Sequence, residues 1–362
     1  MLEKIKLRNF KSFSDFQIPL ANLTLLSGLN NSGKSSLIQA VRMVNQWMKT
    51  GDPTLPEHGS MEEMKHINAS RKEPIDIILE KTGEPIHLSI NFAGKGTPVV
   101  DQSTDLSLQM PLICYLSAER WGPRVNLPVY NYMGNLFHVG DYGEHVIDFL
   151  ARHELDLIHP KLKHEGAEGQ TLEWNVRAWL TEVAPGIDFK HAMDQKRDSS
   201  YAVINGFRPP NTGFGLSYTL PIIVLLLGMT AEWKNEEEEQ IKKDRGVLML
   251  LENPEAHLHP KGQTAIGHLI AAAASTGVQI IVETHSEHVM DGIRMAVRDG
   301  ILSNDKTVFH FFKVQRVIKD EIGRYETVVE TPHLDGNGKL DFWPEGFFDQ
   351  TLINRAKLAR RR

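Results

Sequence analysis

Gly28-Leu29-Asn30-Asn31-Ser32-Gly33-Lys34-Ser35 fits the pattern G-x-x-x-x-G-K-[ST] at every defined position. Leu23-Thr24-Leu25-Leu26 precedes it with strand character, and Ser36-Leu37-Ile38-Gln39-Ala40-Val41 follows with helix character. That is the context a phosphate-binding P-loop requires. Glycines let the backbone turn tightly, so that N–H groups converge on phosphate oxygens. The helix N-terminus adds partial positive charge. The spacing gives Lys34 the β- and γ-phosphates of ATP and Ser35 the Mg2+ ion. Gly28, Asn30, Asn31, Ser32, Gly33 and Ser36 complete the expected cradle. The bland alternative, a chance glycine-rich turn, does not account for the flanking strand and helix.

The rest of the chain has room for a full catalytic domain. Its 362 residues allow one large domain or two to three smaller ones. Apolar residues at 41% and charged residues at 24% fit a soluble globular protein. No run approaches the roughly 20 apolar residues that cross a bilayer. The nearest, Leu220 to Met229, is short and carries Pro221 and Gly228. Charges interrupt Met1-Leu2-Glu3-Lys4-Ile5-Lys6 where a signal peptide has its apolar core, so a cytoplasmic protein with no membrane contact is expected. The single cysteine, Cys114, excludes an internal disulfide and a cysteine zinc hook within one chain. Its setting, Leu112-Ile113-Cys114-Tyr115-Leu116, reads as a buried structural thiol. A formal charge of −6 argues against wholesale coating of nucleic acid but leaves room for a local basic groove.

Residues 1 to 26 read as strands, with Lys4, Lys6 and Arg8 on one face and Phe10, Phe13 and Phe16 anchoring the turn that follows. The cations form either a wet sheet face or one wall of a DNA-binding surface. Residues 50 to 74 read as an insertion loop, and 94 to 110 as another. Ile75 to Leu79 and Ile86 to Phe92 bracket Thr82-Gly83-Glu84 as a hairpin. Helical spacing marks 143–155 and 171–183, and a weak hairpin follows at 187–204. An apolar helix is expected over about 218–230 and another over 261–275. Glu236 to Glu239 followed by Lys242, Lys243 and Arg245 reads as a solvated helix or loop. Buried strands are expected at Gly246 to Leu251, Val278 to Val282 and Val308 to Val314. This alternation points to a largely parallel sheet covered by helices.

Two strand tips carry chemistry. Glu252 ends an apolar strand, and a carboxylate there, beside a P-loop, orients Mg2+ directly or through water. Asn253 and Pro254 come next. His285 ends the following strand and can hydrogen-bond a γ-phosphate or position water. His257 and His259 have an i, i+2 spacing but no third ligand of clear spacing, so a structural or interface role is expected.

Taken together, Asn9-Phe10-Lys11-Ser12-Phe13, the P-loop, Tyr115 to Arg120, Gly213-Phe214-Gly215-Leu216-Ser217, Glu252 to Pro260, Glu283 to Ser286 and Trp343 to Phe348 resemble the ABC-type ATPase heads of the SMC, Rad50 and RecF group. The chain is most similar to compact prokaryotic AAA-15/AAA-21 and overcoming-lysogenization-defect ATPases that end in the domain of unknown function 3696. The resemblance implies an α/β fold. Its parts are a mixed sheet, an N-terminal antiparallel β lobe and a helical signature lobe, with no long coiled coil. It implies segments 1–110, 111–230, 231–315 and 316–362: the β lobe with P-loop, the helical lobe, the Walker B and switch-histidine core, and the C-terminal extension.

By the same resemblance, Gly213, Gly215 and Ser217 cap the γ-phosphate of ATP held by a second subunit, so that ATP builds a head-to-head homodimer. Glu252 is the Walker B acid and His285 the switch histidine. Ser117 to Arg120 stands where the family links phosphate and Mg2+ to the helical lobe, without the usual glutamine. Asn253 stands where many heads have the glutamate that polarises water. Asn cannot accept the proton, which implies slow hydrolysis with Glu255 or His285 partly substituting. The implied role is a switch acting on DNA or on a separate effector, such as a nuclease, in antiphage defence or DNA repair. A transporter ATPase subunit and a nucleotide-gated scaffold without DNA contact are the alternatives. Arg355, Lys357, Arg360, Arg361 and Arg362 could meet phosphates or form a frayed tail.

Overall fold

The computed structural model describes residues 1–70, 72–81, 84–92, 99–101, 110–130, 138–194, 196–319, 322–348 and 350–359. The N-terminal stretch holds β1 (Leu2–Phe10), β2 (Phe13–Pro19), β3 (Leu23–Gly28), α1 (Lys34–Thr50), β4 (Ile75–Lys81), β5 (Glu84–Asn91) and β6 (Val99–Asp101). The middle holds β7 (Leu112–Leu116), β8 (Leu127–Pro128), α2 (Val146–His153), α3 (Leu172–Val183), β9 (Phe189–Asp194), β10 (Ser199–Ile204), α4 (Phe214–Thr230) and α5 (Glu236–Arg245). Then come β11 (Val247–Glu252), α6 (Pro260–Ala274), β12 (Gln279–Glu283), α7 (Glu287–Arg298), β13 (Thr307–Lys319), β14 (Ile322–Glu330) and α8 (Gln350–Ala359). The chain forms two compact units: 1–113 with 307–334 and 340–362, and 114–306 with 335–339.

The first unit contains an antiparallel sheet in the order β2-β1-β4-β5-β6. Strand period 2 buries Ile5 and Leu7 and turns Lys4, Lys6 and Arg8 to the other face. Those cations meet carboxylates. Lys4 and Lys6 both pair with Glu80, Lys4 at 3.3 Å, and Arg8 lies across from Asp15 and Asp76. This favours the wet-face reading over a free basic wall. A second group of strands runs β14-β13-β3, with β13 parallel to β3 and antiparallel to β14. α1 packs its Leu37, Val41, Val44 and Trp47 face inward and ends at Gly51, whose N–H reaches Trp47 O at 2.7 Å.

Three expectations change in this unit. The 50–74 segment is irregular but pinned, with two 3-10 turns, Pro56–His58 and Met61–Met64. Lys11 N–H donates to Met64 O (2.8 Å), His66 N–H to Asn9 O (2.9 Å), and Asn9 Nδ2 to Pro74 O (2.9 Å). A strand, Val99–Asp101, lies where a loop was expected, paired antiparallel with β5. β13 runs beyond Val314 to Lys319 and pairs with β14, which the sequence reading missed. β4 and β5 pair in register from Lys81↔Glu84 to Ile75↔Ile90, as the expected hairpin requires. Thr82 and Gly83 at its turn, most of the 94–110 loop and Arg360 to Arg362 lie outside the described residues.

The second unit places β11 beside the parallel strand β12, with the Cys114–Leu116 end of β7 on its other side. β11 and β12 are buried over nearly their whole lengths, and Cys114 is fully buried. α4 is apolar on all sides and packs among α2, α3 and α6. A small sheet, β8-β10-β9, completes the unit. The acidic and basic run at 236–245 is a helix, yet it is not merely solvated. Glu239 and Lys242 are buried, paired at 2.6 Å, and Lys242 lies 4.4 Å from the Trp233 ring centre. Asn235 caps this helix, and Trp233 fills the space its charges frame. Among the described residues no helix is long and apolar enough to cross a membrane, and none exceeds 17 residues.

Candidate functional site

The P-loop of the first unit is shaped by backbone constraint. Gly28 has φ +140°, and a Cβ there would lie 2.0 Å from Phe312 O on β13. Only glycine fits. Asn31 and Gly33 take left-handed conformations (φ 60° and 102°), and Gly33 ends the loop as the residue before α1. No side chain caps α1, and its first turn carries no acid. The first-turn N–H groups and the helix dipole therefore suit an anion. Lys34 is buried, and its ammonium donates to Gly28 O (3.1 Å) and Leu29 O (2.8 Å), so its charge sits over the loop. Ser35, Asn30 and Asn31 are exposed along the loop, and Ser36 is half-buried. Ser32 is fully buried and donates to Leu29 O (2.7 Å). Thr327 on β14 braces the loop from behind, donating to Ser32 O (3.0 Å) and standing 2.9 Å from the Ser12 hydroxyl. That brace comes from almost 300 residues away, and sequence reasoning missed it.

In the second unit, β11 and β12 end side by side, with Glu252 in register with Glu283. Parallel pairing thereby sets two carboxylates at the same end of the sheet, where α/β folds gather ligands. Ala118 N–H donates to Glu252 Oε2 (3.2 Å). Asn253 has φ 43°, a left-handed conformation that Asn tolerates better than most side chains. Its N–H bonds Glu283 O (2.9 Å), and its Oδ1 is buried without a hydrogen-bond partner. Glu255 is tied to the histidine loop. Its Oε2 accepts from the Thr284 hydroxyl and its Oε1 from His285 N–H, both at 2.7 Å. Burial pushes the Glu255 carboxyl above its usual range, opposed by those two hydrogen bonds and by the Arg120 charge. His285 is exposed beside it. Ser286 caps α7, accepting from His288 and Val289 N–H, both at 3.1 Å, which fixes the loop's exit.

The signature turn belongs to the same unit. α4 begins at Phe214, four residues earlier than periodicity indicates, directly after Gly213. Gly213 and Gly215 give the stretch the character of a turn, which is why the helix is expected to start later. Gly215 lies against the loop that follows Glu252, where a Cβ would stand 2.9 Å from His257 O. No side chain caps α4, and Pro221 offers no N–H to the Ser217 carbonyl. Phe214 is exposed at 56% and sits in an aromatic group with Tyr218 and His257, whose ring centres are 4.5 Å apart. His257 is thus packed, as a structural role requires. Among the described residues no group of three or more His, Cys, Asp or Glu side chains could hold a metal. A Mg2+ ion would need phosphate oxygens to complete its shell, as it does in P-loop enzymes.

The predicted residues therefore fall into two sets. Gly28 to Ser36 form one loop. Glu252, Asn253, Glu255, His285 and Gly215 meet through the bonds and close contacts just described, with Gly213 and Ser217 in the first turn of the same helix. Arg120, Thr284 and Glu283 join that second set, and only their positions after buried strands hinted at it.

Several solved structures are similar to this chain. The head domain of the SMC protein of Thermotoga maritima is 14% identical, with 90% of this chain and 98% of that one covered at a TM-score of 0.44. The SMC head domain with an extended coiled coil from Pyrococcus furiosus, bound to the C-terminal domain of ScpA, is 11% identical over 99% and 100%, with a TM-score of 0.46. The recombination mediator protein RecF-ATPrS is 14% identical over 90% and 98%, with a TM-score of 0.43. No curated protein matches the sequence. A family described as a protein of unknown function, DUF3696, matches residues 302–358, which include β13 and β14. A second family model matches residues 1–121 and 208–290, more than half of the chain, and takes in the P-loop, the signature turn and both strand tips. The chain belongs to the AAA ATPase domain family.

Proposed function

We propose that this ATPase works as a slow, nucleotide-operated switch. The P-loop supports that reading most directly: Lys34 lies over a cradle whose helix-end N–H groups carry no side-chain cap. ATP phosphates would take up those groups, with Ser35 and Glu252 serving Mg2+. Gly213, Gly215 and Ser217 form a second uncapped helix end, which would meet the γ-phosphate of ATP held by another copy.

Slow turnover follows from Asn253. Its amide cannot take a proton from water, and its left-handed backbone, with its N–H bonded to Glu283 O, points to a role in shaping the turn. Glu255 has both oxygens engaged, so it supports His285 more than it competes with it. ATP would act as a dimer clamp, and hydrolysis would release it. The output would go to a separate effector, such as a nuclease, in antiphage defence or DNA repair.

A second reading, a scaffold without DNA contact, draws support from strand β1, where Glu80 already engages Lys4 and Lys6. Salt titration of DNA binding separates the two, because contacts to several phosphates weaken steeply with salt. Sedimentation of the Glu252→Gln variant tests the switch itself. ATP with Mg2+ is expected to double its mass, and Lys34→Ala to abolish the effect. A mass unchanged by ATP at any concentration rejects the clamp.

A further inference from the structure

We propose that Arg120 is a positioning residue for the hydrolytic site. It holds the Glu252–Asn253 turn in register and ties that turn to the signature helix. The inference rests on the ATPase reading above and gives one residue of the Ser117–Arg120 segment a role of its own.

Arg120 is 3% exposed, and its guanidinium fork is spent on main-chain oxygens. One terminal nitrogen donates to Ser117 O (2.9 Å) and Glu252 O (2.8 Å), and the other to Asn253 O (2.7 Å). Its Nε is buried with no hydrogen-bond partner. Burial lowers its pKa to about 10, with Glu255, Tyr218 and Glu252 acting to raise it, so it stays charged at neutral pH. A buried cation that spends its donors on carbonyls costs desolvation, and such a cost is met where geometry is the gain. The geometry here is that of a strained turn. Asn253 is left-handed, and Arg120 holds the carbonyls of both peptides that flank it, beside the bond from its N–H to Glu283 O. Fixing Glu252 O and Asn253 O fixes both peptide planes, and with them the directions of the two side chains.

The guanidinium also reaches the signature helix. The Tyr218 ring centre lies 5.4 Å from it, one residue beyond Ser217. Tyr218 in turn packs on His257 and neighbours Phe214. Ala118, two residues before Arg120, supplies the N–H that meets Glu252 Oε2. One side chain therefore joins the loop after β7, the acid-bearing turn and the first turns of α4. A lysine carries the same charge but cannot span three carbonyls from one planar fork.

Steady-state ATP hydrolysis and binding of a fluorescent ATP analogue by the full chain test this. Arg120→Lys and Arg120→Gln are expected to lower kcat at least about tenfold while nucleotide affinity stays within about twofold, because a misdirected turn spares the P-loop. Tyr218→Leu is expected to lower kcat about threefold, and Tyr218→Phe, which keeps the ring face, to restore it. Wild-type kcat in Arg120→Lys overturns the inference. Equal kcat in Tyr218→Leu and Tyr218→Phe overturns the link to the signature helix even where the Arg120 variants do not fold. Wild-type hydrolysis in Lys34→Ala would instead reject the ATPase reading on which the inference stands.

Discussion

The P-loop and the acid-bearing strand tip are built by opposite means. The P-loop is a backbone object. Its shape comes from Gly28, Asn31 and Gly33, and its lysine is steadied by the loop's own carbonyls. The strand tip is a side-chain object, in which Arg120, Glu255, Thr284 and Ser286 hold loops that glycine does not shape. Both units bury charge, but they hold it differently: Lys34 by carbonyls of its own loop, Arg120 by carbonyls that include two from a distant strand end. The first unit also buries His310, between Thr331 Oγ1 (2.8 Å) and Pro19 O (2.9 Å). The comparison teaches that phosphate binding can be written in a short motif, whereas placing a metal ion and water requires residues gathered from distant segments.

The largest expected effect falls on the backbone-built side. Gly28→Ala places a methyl against Phe312 O and should destabilise the first unit by about 3 kcal/mol or more, read by chemical denaturation. A variant as stable as wild type would break the contrast.

Acid should strike the same unit through His310. Burial holds this ring down at about 4, from an ordinary value of 6.5. The unfolded chain therefore takes up the proton first as pH falls. The contribution is full above about pH 6.5 and is lost between about pH 6.5 and pH 4, by about 3 kcal/mol in all. The difference in melting temperature between wild type and His310→Leu should narrow over that window, and a constant difference would contradict this.

Glu255→Gln sharpens the comparison on the other side. It turns one acceptor into a donor facing Thr284 Oγ1 or His285 N–H, and should cost about 1–2 kcal/mol while slowing hydrolysis several-fold. Lys4→Ala should move stability by less than about 0.5 kcal/mol, because its partner Glu80 is partly solvated and also pairs with Lys6.

What the sequence disclosed follows this division. Gly28 to Ser35 could be read because glycine and lysine at fixed spacing have few other uses. Strands β11 and β12 could be read because they are short apolar runs with polar tips. β14 was missed although Tyr325, Thr327 and Val329 alternate, because Gly323 and the charged Arg324, Glu326 and Glu330 interrupt its apolar run. Glu239 and Lys242 were misplaced because a charged helix says nothing about the tryptophan beneath it. Arg120 stood inside a quoted motif, yet its three carbonyl partners include two that lie more than 130 residues away. Nothing local could have announced them.

Mixing two dead variants tests most directly whether one copy's P-loop is completed by the signature turn of another. Lys34→Ala and Ser217→Arg should each be inactive alone. In a heterodimer the two defects fall on one composite site and leave the other whole, so a 1:1 mixture should recover about a quarter of wild-type ATP hydrolysis by random pairing. A mixture as inactive as its components, with both variants folded, would contradict the account.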